Sequence, residues 1–335
     1  MTKESCYKLH NILRIRANIK LPIPEYFRVE EKITNPDLEI SQENLDDWEV
    51  LAKRKAGFFS YYLKGTAFCV DFNTPLLNTK LIIDDLQGKT KVKFTKAYAK
   101  FGDLSRLLSV IIRIKAIQKG YAFVHAGSLS YRKDQAFLFT ALGETGKTST
   151  ILSLLDGKDF KFMSDDLTIV SKNGIAYSYP AKVRITPHTL TGNVIPSNFG
   201  LIKSKLARSH LLTLLSQYLF HYEVSKDIEV PCDLIEDWGK IKKVFILSGW
   251  AEKKEIREVD VEYAFKKLLS ASIGFLTDPL NLYQLQYLSY ASGFDLIGLF
   301  DETREIIRSA IKNAECFEVV GNDAKEFIKM IKEVI

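Results

Sequence analysis

The sequence predicts a mixed α/β fold (α+β in the layout of its elements) in which a β-rich N-terminal domain precedes the core. Three observations indicate this class. Short apolar runs separated by turn residues occupy most of the first hundred positions. A buried strand, a glycine-rich turn and a helical pattern follow one another between Gln135 and Leu155. Further strand-like and helical segments make up the C-terminal part, as in an α+β protein.

Length and composition bound the class of protein. A chain of 335 residues predicts two domains, or one large domain with extensions. Its 46% hydrophobic and 26% charged residues are typical of a soluble globular protein. The longest apolar stretch, residues 107–117, is interrupted by Arg113 and Lys115, and the N-terminus lacks a signal-peptide core. We therefore expect a cytoplasmic protein that does not associate with a membrane.

Cysteine spacing and charge exclude several kinds of site. The four cysteines lie far apart and form no Cys-x-x-Cys pair, which argues against zinc and against a disulfide framework. They are Cys6, Cys69, Cys232 and Cys316. The net charge of +6 is spread along the chain and permits an acidic partner without requiring one. No aromatic-basic module favours nucleic acid as a partner.

The N-terminal domain is predicted over residues 1–101 and consists mainly of strands. The candidate strands are Leu13–Lys20, Phe58–Tyr62, Ala67–Phe72, Lys80–Asp84 and Lys91–Phe94. Lys91 and Lys93 alternate with apolar residues, which predicts a strand whose lysines face water. No group of residues in this part suggests chemistry. We interpret it as a separate unit, a platform for a partner or substrate, and expect the core domain to extend over residues 102–335.

The core domain is predicted to open with a helix and a hairpin. Asp103 is a candidate N-cap for a helix whose apolar residues recur at helical spacing, and Gly120 ends it. The segments Tyr121–Tyr131 and Gln135–Thr140 then flank a turn at residues 132–134, a pattern typical of a β-hairpin.

The segment Ala141–Thr148 has the pattern of a phosphate-binding loop, since a strand precedes it and a helix follows it. Successive backbone N–H groups in such a loop surround an anion at the positive end of the helix. Lys147 would reach the β- and γ-phosphates, and the Thr148 hydroxyl would bind Mg²⁺. Alanine replaces the usual first glycine at position 141, which is compatible with the pattern if its φ is negative. An ordinary strand-to-helix turn is the alternative.

The residues predicted to bind nucleotide are Gly143, Glu144, Thr145, Gly146, Lys147, Thr148 and Ser149. A second candidate group is the pair Asp165 and Asp166, which follows a predicted strand at residues 160–164. Phosphoryl transfer needs one carboxylate to hold Mg²⁺ and often a second to activate the acceptor. Because adjacent carboxylates repel, one of the two could have a raised pKa. A solvated turn is the alternative interpretation of the pair.

The remaining segments are predicted from periodicity and turn residues. Asn173–Gly174 marks a hairpin turn, and the segments Lys242–Leu247 and Glu255–Val261 are interpreted as a strand pair. The other predictions are helices at His210–His221, Glu262–Ser272 and Asp301–Lys312, a strand at Cys316–Val320, and a helix at Asp323–Ile335 capped by Asp323. His125 lies in an apolar strand, where a lone histidine is more often a core residue than a catalyst.

The segment Leu104–Arg184 resembles the catalytic domain of HPr kinase/phosphorylase, which belongs to the fold group of phosphoenolpyruvate carboxykinase. The resemblance depends on an ordered set of features and extends over about residues 102–275. These are the apolar helix at residues 104–118, His125-Ala-Gly-Ser128, the turn at Lys133, the loop Gly143–Thr148, and Ser164-Asp165-Asp166.

The resemblance implies roles for individual residues. Asp165 would hold the metal with Thr148, and Asp166 would be the base that activates the acceptor. His125 would lie beside the transferred phosphoryl group, and Arg184, or Lys182 as the second choice, would neutralise charge in the transition state. The loop of this chain departs from the family pattern at Ala141 and Glu144. The segment that grips HPr was not identified, so HPr is not the expected substrate.

The function expected from these features is that of a metal-dependent kinase. It would transfer a phosphoryl group from ATP or ADP, with Mg²⁺, to a hydroxyl of a small molecule or of a serine in a protein or peptide. One alternative is a nucleotide-gated binding module without turnover. Another is a carboxykinase-type enzyme, which needs further metal and oxaloacetate residues. A homo-oligomer is left open.

Overall fold

The computed structural model describes residues 4–45, 54–57, 59–72, 77–143, 145–155, 159–185, 226–249, 253–273 and 279–335. The predicted helix at His210–His221 and the loop residue Glu144 lie outside these ranges. Within them the chain is a mixed α+β protein with two large mixed sheets. It forms two compact units, Met1–Tyr121 with Gly274–Thr303, and Ala122–Ile273 with Arg304–Ile335.

Seven α-helices occur in the described residues. They are α1 (Lys96–Phe101), α2 (Leu104–Ile117), α3 (Lys147–Leu154), α4 (Val261–Ile273), α5 (Pro279–Ser292), α6 (Leu296–Ile311) and α7 (Ala324–Ile331). None of them is both long enough and apolar enough to cross a membrane. Asp323 caps α7 as predicted, because its carboxylate accepts the Glu326 N–H at 3.0 Å.

The first unit contains a nine-stranded sheet in the order β3-β1-β2-β4-β9-β8-β7-β6-β5. Its strands are β1 (Ser5–Leu9), β2 (Leu13–Ala17), β3 (Arg28–Val29), β4 (Leu38–Gln42), β5 (Arg54–Ala56), β6 (Phe59–Lys64), β7 (Ala67–Asp71), β8 (Lys80–Asp84) and β9 (Thr90–Phe94). Strand β4 runs parallel to β2 and β9, and the other pairs are antiparallel. Buried residues of β9 alternate with an exposed Lys91 and a half-buried Lys93, which confirms the predicted pattern.

Helix α2 belongs to this first unit because polar side chains tie it to two loops. The Lys115 ammonium donates to the carbonyl of Gly88 at 2.6 Å, and Lys119 donates to the carbonyl of Ile12 at 2.9 Å. Burial lowers the pKa of Lys115. The compact unit therefore extends to Tyr121. The predicted domain boundary between residues 101 and 102 concerns independent folding and stays a prediction.

The predicted N-cap of α2 is wrong in its mechanism, although the helix begins where expected. Asp103 has a left-handed backbone, with φ of 48°, and its side chain accepts no capping hydrogen bond. Its carboxylate instead pairs with Arg106, with Nε and Oδ2 3.2 Å apart.

The second unit contains the other large sheet, in the order β10-β14-β15-β18-β12-β11-β13, with β20 beside β18 and β19 beside β20. Its strands are β10 (Tyr121–Val124), β11 (Gly127–Tyr131), β12 (Gln135–Thr140), β13 (Phe160–Ser164), β14 (Thr168–Ser171), β15 (Ile175–Tyr177), β18 (Trp238–Ser248), β19 (Glu255–Val259) and β20 (Glu315–Val320). A separate two-stranded sheet pairs β16 (Val183–Ile185) with β17 (Lys226–Ile228).

Two strand predictions for this unit are corrected. The segment Tyr121–Tyr131 forms two separate strands, since β10 pairs with β14 whereas β11 pairs with β12. The segments predicted as a strand pair do not pair with each other, because β20 lies between β18 and β19. The hairpin of β11 and β12 is confirmed, with Tyr131 opposite Gln135.

The core of the second unit is built on three adjacent parallel strands, β12, β18 and β20. Phe139 stacks on Phe245 with ring centroids 5.3 Å apart, and Phe245 stacks on Phe317 at 5.7 Å. Helix α4 packs on all three strands, and α3 packs on β11, β12 and α7. Parallel strands end at the same edge of a sheet, and this edge is where ligands bind in open α/β sheets.

Candidate active site

The predicted phosphate loop connects β12 to α3 at this edge of the sheet. The last residue before α3 is Gly146, whose φ of +100° is a conformation that favours glycine. Ala141 is absent from the residues with positive φ, so alanine meets the condition set for this position. The Thr145 hydroxyl donates to the carbonyl of Leu142 at 2.9 Å and stabilises the turn. The loop therefore delivers Lys147 and Thr148 as the first two residues of α3.

Lys147 is buried, and its charge is paired with Asp166. The ammonium donates to Asp166 Oδ1 at 2.8 Å, and the imidazole Nε2 of His125 lies 3.4 Å from the same oxygen. The hydrogen bond from His125 and the nearby ammonium hold the pKa of Asp166 well below its usual range. The Asp166 side chain itself is 65% exposed. A molecule arriving from solvent can therefore reach this carboxylate.

Asp165 occupies a different environment from its neighbour. The Thr148 hydroxyl donates to Asp165 Oδ2 at 3.1 Å. The other carboxylate oxygen, Oδ1, is buried and has no hydrogen-bond partner in the described part of the chain. Burial raises the pKa of Asp165 to about 6, and the nearby Lys147 charge offsets part of that effect. A buried carboxylate oxygen without a partner is costly, so this side chain is poised to bind a cation.

These donors fit Mg²⁺ bound together with a nucleotide. Among the described residues, no group of three or more His, Cys, Asp or Glu could hold a metal by itself. Mg²⁺ is usually bound through one or two carboxylates, with phosphates and water completing its shell, so a dedicated protein cage is not required. Thr148 and Asp165 are adjacent oxygen donors of the required kind.

Asp165→Asn is expected to raise the free energy of unfolding of the nucleotide-free protein at pH 7–8 by about 1–3 kcal/mol. The physical reason is that the folded-state pKa of Asp165 is raised by burial. The contribution of Asp165 to the free energy of unfolding is therefore fully present below the pKa of an unfolded aspartate and is lost as the pH rises from about 4 to about 6. Urea denaturation in EDTA at a series of pH values measures the effect.

The matched control is Asp166→Asn, which should lower stability because it leaves the buried Lys147 ammonium without its carboxylate. A variant Asp165→Asn that is less stable than the wild type at pH 8 would contradict the expectation.

Gly127 is a site residue whose role the sequence analysis did not assign. It begins β11 and is packed between α3 and the backbone of the aspartate pair. A Cβ atom placed there would lie 2.1 Å from Ile151 Cδ1 and 2.5 Å from the carbonyl oxygen of Asp165. Only glycine allows the aspartate segment to approach this closely. A glycine within a strand is a sequence signal of such an approach.

Gly127→Ala is expected to lower the free energy of unfolding by about 1–3 kcal/mol, the usual cost of overpacking. Gly143→Ala is the control, because a Cβ there meets nothing within 4 Å and its φ is not positive. Chemical denaturation of both variants measures the difference. Equal free energies of unfolding for the two variants would contradict the expectation, because they would show that the backbone at Asp165 shifts with no loss of stability.

The structure brings together five of the predicted site residues. The five are His125, Lys147, Thr148, Asp165 and Asp166. Arg184 lies on β16, where its side chain is 72% exposed and Nε is 3.8 Å from Asp227 Oδ1. None of its hydrogen bonds or ion pairs within the described residues is with the five. Lys182, the second choice for that role, pairs with Glu229 at 3.0 Å.

Comparisons with known proteins do not assign this site. A scan against protein-family models finds no family that matches the chain. A search of the curated proteins finds no similar sequence. The function is therefore argued from the residues and their geometry.

Proposed function

We propose that the protein is a Mg²⁺-dependent phosphotransferase of the HPr kinase-like P-loop type. It would move a phosphoryl group from ATP or ADP to a hydroxyl of a small molecule or of a serine in a protein or peptide. The observation that carries the proposal is the convergence of Lys147, Thr148 and both aspartates where a glycine-rich loop enters a helix.

The loop supports nucleotide binding because several attractions for phosphate act at one place. The N-terminus of α3 presents backbone N–H groups and the positive end of the helix dipole. The Lys147 ammonium adds a full charge at the first position of that helix. Thr148 and Asp165 would hold Mg²⁺, which would supply positive charge to the phosphates.

The Lys147 ammonium would leave Asp166 for a phosphate when a nucleotide binds. The hydrogen bond from His125 and the Lys147 ammonium, which donates to Asp166, together keep the pKa of this carboxylate low and make it a poor proton acceptor. A phosphate in the loop carries more negative charge than one carboxylate and would draw the ammonium away. The pKa of Asp166 would then rise, and the carboxylate could accept the proton of a hydroxyl. The base would thus become active only when the donor is present.

The test is metal-dependent nucleotide binding followed by phosphate transfer. Calorimetry with ATP and ADP should show binding in Mg²⁺ that is weakened in EDTA and at least about tenfold weaker in Asp165→Asn. Transfer of labelled phosphate to a panel of hydroxyl compounds and serine peptides then measures turnover. Binding that is insensitive to both EDTA and Asp165→Asn would overturn the proposal.

A nucleotide-gated binding module is the second candidate, and the pairing of Arg184 with Asp227 favours it. Among the described residues, the basic side chains in contact with the aspartate pair are those of Lys147 and His125, and no arginine or further lysine contacts it. A binding module would need no additional cation to stabilise transition-state charge. Nucleotide binding with no phosphate release in a single-turnover experiment, over the whole acceptor panel, would select this function.

A further inference from the structure

His125 lies in a short connection where the regular hydrogen bonding of the sheet is interrupted. Strand β10 ends at Val124 beside β14, and β11 begins at Gly127 between β12 and β13. The chain must therefore cross between separate places in the same sheet through residues 125 and 126. Backbone groups in such a crossing need other partners, because buried polar groups are rarely left unpaired.

Side-chain hydroxyls satisfy the backbone of this crossing. The His125 N–H donates to Ser272 Oγ at 2.9 Å, and its carbonyl accepts from Thr140 Oγ1 at 3.1 Å. The next carbonyl, that of Ala126, accepts from Thr168 Oγ1 at 2.8 Å. Three hydroxyls from separate elements thus fix the backbone of two consecutive residues, His125 and Ala126.

Ser272 does more than a buried serine in a helix requires. Its hydroxyl donates to the carbonyl of Leu268 at 2.7 Å, and this local bond alone would satisfy it. The lone pairs of the same oxygen also accept the His125 N–H, so the serine links the end of α4 to the crossing. Ser272 is buried, with 4% of its surface exposed, so water does not compete for this bond.

Thr140 links His125 to the phosphate loop. It is the last residue of β12, and the loop begins with the residue that follows. A displacement of the loop strand would therefore be transmitted to the His125 peptide group through the hydroxyl of Thr140. The imidazole would shift with it relative to Asp166 Oδ1, which lies 3.4 Å from Nε2.

We propose that Ser272 and Thr140 are positioning residues that hold the His125 backbone so that the imidazole faces Asp166. The proposal rests on the proposed function, because it assigns the two hydroxyls to the same phosphotransferase site. Neither hydroxyl contacts Asp166 in the described structure; both act through His125. Their removal should therefore affect turnover far more than nucleotide binding.

The variants are chosen to remove a hydroxyl without adding volume. Ser272→Ala and Thr140→Val each delete one hydroxyl, and Thr140→Ser restores it at the second site. Thr90→Val is the matched control, since Thr90 is also buried in a strand and its hydroxyl donates to the carbonyl of Asp85 at 3.1 Å. Turnover should fall by about 10-fold to 10²-fold in the two deletions, with nucleotide affinity within about twofold of the wild type. Thr140→Ser and Thr90→Val should retain wild-type turnover.

A spectroscopic measurement separates positioning from a general structural effect. The ring ¹⁵N signals of His125, assigned with His125→Gln, should shift on Asp166→Asn in the wild-type, Thr140→Ser and Thr90→Val backgrounds. That response should be lost in Ser272→Ala and Thr140→Val. Retention of both turnover and the ring response in these two variants would overturn the inference. If Ser272→Ala does not fold, the comparison of Thr140→Val with Thr140→Ser decides.

Failure of the proposed function gives a different result. The wild type would then bind no nucleotide and transfer no phosphate, while the ring response of His125 would still depend on Ser272 and Thr140. An intact response without activity therefore refutes the reaction and leaves the positioning of His125 in place.

Discussion

Asp166→Asn is expected to lower turnover by about 10²–10⁴-fold, the usual contribution of a general base. Asparagine keeps the shape of the side chain and can still accept from Lys147 and His125, but it cannot take up a proton from the acceptor. The metal-binding oxygens that we assign belong to Thr148 and Asp165, so Mg²⁺–nucleotide affinity should change little. A base contributes only when the hydroxyl attacks, whereas a metal ligand also contributes to binding of the ground state.

The measurement is nucleotide affinity by calorimetry beside turnover, with Asp165→Asn as the contrasting variant. That variant should lose binding together with turnover. If both variants lose binding equally, the two aspartates form one metal site. The base must then be sought elsewhere, and His125, at 3.4 Å from Asp166, is the first candidate.

Lys147→Met is expected to weaken nucleotide binding on the order of 10²-fold and to abolish measurable turnover, because a buried charge that we assign to phosphate binding is lost. The fold should be retained. Lys147 is the buried member of its ion pair, and Asp166, with 65% of its side chain exposed, can be solvated when left alone. Methionine also keeps most of the apolar stem that packs in the site.

Lys182→Met is the control for this variant. Lys182 lies in the same unit and also pairs with a carboxylate, but its side chain is 57% exposed and its partner is Glu229. Its replacement should leave affinity and turnover unchanged. Wild-type turnover in Lys147→Met would remove the phosphate-loop interpretation.

Local patterns predicted the parts of the site that are contiguous in sequence. The strand, loop and helix from Gln135 to Leu154 follow from apolar periodicity and from one glycine that tolerates positive φ. The position of the aspartate pair directly after β13 follows from a short apolar run ended by polar residues. The sequence could also locate the hairpin turn at Gly174, where φ is +76°. Each of these depends on neighbours along the chain.

Long-range pairing could not be predicted in the same way. Nothing local in β20 indicates that it inserts between β18 and β19, because register between distant strands is decided by the packing of the whole sheet. The hydrogen bond from His125 to Ser272 joins residues that are 147 positions apart in the sequence, and no local sequence pattern indicates it. The role of Arg184, which the family resemblance implied, stays a prediction; the residue lies on β16, which pairs with β17 in a separate two-stranded sheet.

The packing of α7 against α3 has a consequence for the order in which the site is completed during synthesis. A Cβ on Gly146 would lie 3.8 Å from the backbone nitrogen of Ala324 and 3.9 Å from a ring carbon of the buried Phe327, so α7 borders the loop directly. Ribosomes add about 5–20 residues per second, and β20 and α7 are translated many seconds after the loop. Until they emerge, the loop lacks the helix that borders Gly146. Under the proposed function, a ribosome-bound nascent chain that ends before Glu315 should therefore bind no nucleotide, and nucleotide should not assist the early steps of folding.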